Sequence, residues 1–173
     1  FTILRACSGA AKLTYSLRGV QPSQAVADVL QEADELIRQA LERIVVDSVG
    51  DQAWTQAGLA PSCAGLGVKH TVITCIPAFI GSAIDSGALT LRMLHAQAAT
   101  IPGLQDAAQR YIDMGLGGHV PMNVGVAVGN LARGPLTLMA IEDAPTKAQA
   151  ALSEPVDAKH FDLLRQRATG NDR

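Results

Sequence analysis

The sequence predicts a mainly α-helical, packed array with at most a short β excursion near residues 120–130, and three observations predict it. Aromatic residues make up only 3% of the 173, so the core must be built from Ala, Leu, Val and Ile, which favours close-packed helices over a sandwich of sheets. Apolar residues recur at helical spacing in most segments, most plainly between Val26 and Val46. The apolar fraction of 48% against 17% charged marks a chain that folds, with length enough for one sizeable core.

Residues 2–18 place Ile3, Cys7, Ala10, Ala11, Thr14 and Leu17 on one helical face, which Gly19 and Pro22 end. Arg5 and Lys12 share one side of that helix, either as a solvated face or as a contact to a phosphate backbone. Ser23 is placed to cap the next helix, whose stripe runs through Val26, Val29, Leu30, Ala33, Ile37, Ala40, Leu41 and Ile44. Asp34 and Arg38 are spaced for an i,i+4 pair, and the charges of this helix are expected to face solvent.

The stretch from Trp54 to Asp85 organises the rest, with the single Trp, two of three Cys and a long apolar run. Asp51 is expected to cap a short helix that turns Trp54 into the groove between the first two helices. Gly65-Leu66-Gly67 reads as a turn with positive φ on either side of a buried Leu66. It lacks the strand-then-helix setting of a nucleotide fingerprint. A buried helix follows over Thr71–Asp85, with Pro77 kinking it or marking its first turn, and Lys69 and His70 at its entrance. His70 is either a capping or surface residue or a polyanion contact.

Gly87 separates a further helix over Ala88–Ala99, and Pro102-Gly103 is the clearest internal boundary. It divides a helical domain over 1–100 from a helical and Gly-rich C-terminal extension over 101–173. In the extension, Leu104–Met114 reads as a short helix packing Tyr111 and Ile112. Residues 115–134 are Gly-rich, and the alternation over Val124–Gly129 suggests a strand or loose connector. Helix formers resume from Glu142 to Ala151 and again from Ser153.

Charge narrows the function. Fourteen basic against 16 acidic residues give a net charge of −2, which argues against a free-standing nucleic-acid binder. The first 20 residues nevertheless carry Arg5, Lys12 and Arg18 with no acid, so any polyanion contact belongs there. Cys7, Cys63 and Cys75 lack CxxC spacing and indicate reduced thiols in an intracellular protein, nuclear or cytoplasmic, with no metal site and no cofactor. Pro77 and Arg133 interrupt the longest apolar stretches, so no membrane span is expected. The chain opens on Phe1 rather than Met, which suggests a fragment or processed product.

Several stretches, in this order, resemble the region that follows the catalytic palm in reverse transcriptases of non-LTR retrotransposons. They are Leu4 to Arg18, Gln21-Pro22, Trp54-Thr55-Gln56-Ala57, Gly65 to Lys69 and Pro77 to Ala83, with a weaker echo at Lys147–Ser153 and Phe161–Leu164. The likeness covers most of residues 4–86 and part of 145–165. It implies a helical thumb and connection region that holds the primer–template duplex, RNA–DNA or DNA, beside an upstream palm domain. On that resemblance Arg5, Lys12, Arg18, Lys69 and His70 grip the duplex backbone. Two-metal phosphoryl transfer needs paired carboxylates, and the adjacent acids here, Asp34-Glu35 and Glu142-Asp143, lack the apolar strand that would present them. The expectation is therefore no catalytic residue and no polymerase activity of the chain by itself. The alternative is a helical scaffold or protein-interaction module that binds no nucleic acid.

Overall fold

The computed structural model describes residues 10–116 and 119–170, with only the backbone considered at positions 10, 11 and 170. Among the described residues eight α-helices run in order: α1 Ala10–Leu17, α2 Gln24–Val45, α3 Asp51–Gly58, α4 Thr71–Met93, α5 Leu104–Asp113, α6 Met122–Arg133, α7 Leu138–Ile141 and α8 Ala148–Gly170. The fold is mainly α. Its only strands among the described residues are β1 Ala98–Ala99 and β2 Leu136–Thr137, paired antiparallel.

Helix α4 is the axis of the array and packs against α1, α2, α5, α7 and α8. Twelve of its 23 residues are buried, among them Ile76, Phe79, Ile80 and Ile84. By length and composition alone this helix could cross a bilayer, but 56% of its apolar window lies inside the fold. The largest core cluster joins these residues to Leu104, Ala108 and Tyr111 of α5, Val124, Val128 and Leu131 of α6, and Leu152 and Val156 of α8. It draws on both sides of Pro102-Gly103. A smaller cluster of Leu17, Leu30, Cys75 and Ala78 fastens α1 and α2 to the first turns of α4.

Several local expectations change. The helix expected to stop near Asp85 runs unbroken to Met93, through both Pro77 and Gly87. Gly87 is a contact site rather than a breaker, because a Cβ there would lie 2.7 Å from Cδ1 of Ile141. The Gly-rich segment is not a strand: α6 buries Val124, Ala127, Val128 and Leu131 at i, i+3, i+4 and i+7. The short β pairing sits instead where α4 has ended and α6 has ended, at 98–99 and 136–137. Ile112 is 45% exposed while Tyr111 is buried and donates its hydroxyl to the Leu152 carbonyl at 2.8 Å. The last helix starts at Ala148, not Ser153, and continues through Pro155.

Ser23 caps α2 as its sequence position predicts, accepting from the Val26 N–H at 3.3 Å. Asp34 does not pair with Arg38 and does not face solvent. It is 8% exposed, and its two carboxylate oxygens accept from the backbone N–H groups of Thr71 at 2.7 Å and Val72 at 3.2 Å. A carboxylate at a helix N-terminus satisfies orphan donors and meets the positive end of the helix dipole. Thr71 returns its hydroxyl to the Leu30 carbonyl at 3.0 Å, so α2 and α4 are clasped in both directions. Arg38 turns instead to the Val49 carbonyl and to Asp51 at 2.9 Å, so Asp51 is an ion-pair partner while Gly50 holds the cap position of α3.

Replacing Asp34 by Ala strands two buried N–H groups, and chemical denaturation should show a loss of about 2–4 kcal/mol. Asp34→Asn, which keeps one acceptor, should lose roughly half as much. Two glycines give opposite outcomes. At Gly81 a Cβ would meet the Gln149 Cα at 2.5 Å, forcing α8 off α4, so Gly81→Ala should cost about 1–3 kcal/mol. In α6 the nearest atom to a Cβ at Gly125 is Cγ1 of Val120 at 3.7 Å, so Gly125→Ala should stabilise by up to about 1 kcal/mol.

Candidate nucleic-acid interface

The expected grip residues fall in three settings. Arg5 lies outside the described residues, and Lys12 is exposed on α1. Arg18, just past α1, pairs through Nη2 with Asp85 of α4 at 3.2 Å. Lys69 and His70 enter α4, with the Lys69 ammonium on Asp157 of α8. Among the described residues, Arg18 and Lys69 are therefore engaged in ion pairs within the fold. They tie α4 to its neighbours.

His70 is built into the fold more deeply than a lone entrance histidine suggests. Its ring stacks on Trp54 with centroids 4.4 Å apart and planes 13° from parallel. The Nε2 lies 3.1 Å from the Trp54 carbonyl, an acceptor only, so Nε2 carries the proton and donates it. Gly58 makes the seat, since a Cβ there would come within 2.8 Å of Nε2. Trp54 thus packs between Leu41, Val49 and Ala57 on one side and His70 on the other, rather than in a groove of α1 and α2.

The turn before it is tighter than two permissive glycines require. Gly67 alone of the pair has positive φ, at 70°, and Ala64 takes the left-handed position at 57°. Gly65 is needed because a side chain would run into the Leu59 carbonyl. Leu66 is 39% exposed and anchors nothing; the turn closes through backbone bonds from Gly67 to Leu59 and from Val68 to Ala57, at 2.8 and 3.0 Å.

Burial holds the His70 imidazole below its ordinary pKa, with Lys69 and His160 adding to the effect and Asp34 and the Trp54 carbonyl opposing it. His160 of α8 is lowered in the same way by burial, with Lys159 and Lys69 adding and Asp157 opposing. His70 is therefore a neutral stacking partner at neutral pH and brings no charge to a phosphate. Sequence reasoning passed over His160 and Asp157, which sit three residues apart and face the α4 entrance as one helical turn.

Among the described residues no group of three or more His, Cys, Asp or Glu side chains converges as a metal site would need. Cys63 is half-buried and Cys75 buried, and both are free thiols. An open groove of about 810 Å³ between α4, α7 and the start of α8 is lined by Ile84, Ala88, Met139, Ile141, Glu142 and Lys147. It offers apolar wall with two acids, Asp85 and Glu142, and one base, Lys147. No protein-family model matches this sequence, and no curated protein or solved structure matches it either.

The two histidines make stability depend on pH. Because their folded-state pKa values lie below the ordinary 6.5, the unfolded chain takes up protons first as pH falls. Their neutral packing is fully stabilising above 6.5 and is lost progressively below it. Denaturant midpoints measured across that range should fall on the acid side. His70→Gln should lower the midpoint at neutral pH and make it less sensitive to acid.

Proposed function

We propose that this chain is an accessory helical part of a non-LTR-type reverse transcriptase, without a catalytic role of its own. It braces a polymerase palm and helps hold the primer–template duplex beside it. The supporting observation is spatial. Trp54 to Ala57, Gly65 to Lys69, Pro77 to Ala83 and Lys147 to Ser153 are scattered in sequence, yet they meet around α4. Ala57 accepts from Val68, Trp54 stacks on His70, and Gly81 abuts Gln149. These four stretches, which carry part of the family likeness, thus share one packed neighbourhood.

In this role the duplex contact falls to the N-terminal cations, Arg5 and exposed Lys12, while Arg18, Lys69 and His70 maintain the unit that presents them. A phosphate that captured Lys69 would uncover Asp157 beside it, so that cation is worth little to a polyanion. A second reading, a helical interaction module that binds no nucleic acid, is favoured by the same internal use of Arg18 and Lys69.

Binding of the chain to an RNA–DNA hybrid, followed by fluorescence anisotropy across a salt series, separates the two. Affinity should fall with salt, and replacing Arg5 and Lys12 together by Ala should flatten the log–log slope by about 2, at about 0.9 per phosphate contact. Lys69→Ala should change the slope less while lowering thermal stability. A hybrid affinity that is absent or indifferent to salt removes the duplex role and leaves the interaction module.

A further inference from the structure

Helix α2 has two apolar faces, and the fold uses only one. Leu30, Ile37 and Leu41 point into the protein, around the Asp34 clasp. The adjoining face carries Val29, Ala33, Leu36, Ala40 and Arg43, a 4-3-4-3 spacing that makes a straight seam along the helix. Val29 is 64% and Leu36 67% exposed, and the intervening Ala33 and Ala40 are small enough to admit another helix closely.

Charge selects the occupant. The solvent edge of this seam carries Glu32 near one end and Arg43 near the other, both exposed and neither with a partner within the chain among the described residues. Their neighbours are already committed: Arg38 to Val49 and Asp51, Asp28 to Gln24, Glu35 to Gln39. The opposite edge of the seam is the protein's own core. When two such helices pair antiparallel, like edges meet, and the acidic end of each lies beside the basic end of the other. In a parallel pair the charged edge would face the partner's core side and find nothing. Asp28, Glu32 and Glu35 also make this surface repel a phosphate backbone.

We propose that two copies of this chain associate through antiparallel pairing of α2, with Val29, Ala33, Leu36 and Ala40 in the seam and Glu32 of each copy facing Arg43 of the other. Pairing Glu32 with Arg43 puts the two-fold axis between positions 37 and 38, so Leu36 of each copy lies beside Ala40 of the other. This inference rests on neither functional reading above, and its test contains no nucleic acid.

Sedimentation velocity of the full chain over a concentration series should show a monomer–dimer equilibrium. Leu36→Glu buries a charge against Ala40 of the other copy in the middle of the seam and should weaken the dimer at least about tenfold, with unchanged helical circular dichroism because the side chain is exposed. Arg43→Glu and Glu32→Arg should each weaken it, and the two combined should restore it, since the swap re-forms both pairs in opposite sense. A chain that stays monomeric throughout, or a dimer indifferent to Leu36→Glu, overturns the proposal. So does a double charge swap that fails to restore a dimer the single reversals have weakened. If the wild-type chain is monomeric and Leu36→Glu instead abolishes binding to a polymerase palm domain, the seam belongs to that partner and self-association is refuted.

Discussion

The arrangement depends on one buried carboxylate. Asp34 leaves water to meet the first two N–H groups of α4, and its desolvation is offset there by charge-assisted hydrogen bonds and by the helix dipole. Because the contact is two-pronged and is answered by the Thr71 hydroxyl on Leu30, it sets where along α2 the axis helix begins. A hydrophobic contact could slide by a turn with little penalty, but this one cannot. The positions of Cys75 and Ala78 against Leu30 and Leu17 follow from that starting point.

The same device recurs farther along the axis. Asp85 sits three residues beyond the middle of α4 and accepts from the Ala148 N–H at 3.0 Å, at the start of α8, while its second oxygen takes Arg18. One acid therefore positions α4 on α2, and another positions α8 and the end of α1 on α4. Gly81 between them and Gly87 just beyond Asp85 let the backbone of α8 and the side chains of Leu136 and Ile141 approach the axis at close range. Polar contacts set register and small residues set distance, and the apolar core, built without many aromatics, supplies the cohesion.

Much of this was legible in the sequence, and the failures have physical causes. The α2 stripe and its Ser23 cap are periodic signals, and they fall where periodicity puts them. Asp34 lies on that same stripe, between Leu30 and Ile37, so its burial was readable from spacing; its partners, 37 and 38 residues away, were not. At Val124–Gly129 alternating glycines imitate a strand over six residues, while the true period emerges only when Leu131 is included. Gly87 resembles a break because local propensity counts a missing side chain as a loss, whereas tertiary packing uses it as space. His70 was visible as a candidate, but its neutral state follows from Trp54 and Gly58, which chain order alone does not bring to it.

The distribution of charge then limits what the molecule can do with its cations. The Lys69–Asp157 and Arg18–Asp85 pairs are each about one-third exposed, so each contributes little to stability taken singly. Their larger effect is electrostatic. Each cancels a positive charge locally, and His70 contributes none, so the α4 entrance presents a nearly neutral surface despite holding two of the five expected grip residues. Lys12 remains exposed and without an ion-pair partner among the described residues, while the exposed acids of α2 disfavour polyanions at its face. On the proposed reading, an acidic helix that offers an apolar seam and a second helix that exposes Lys12 would keep protein contact and duplex contact apart by charge.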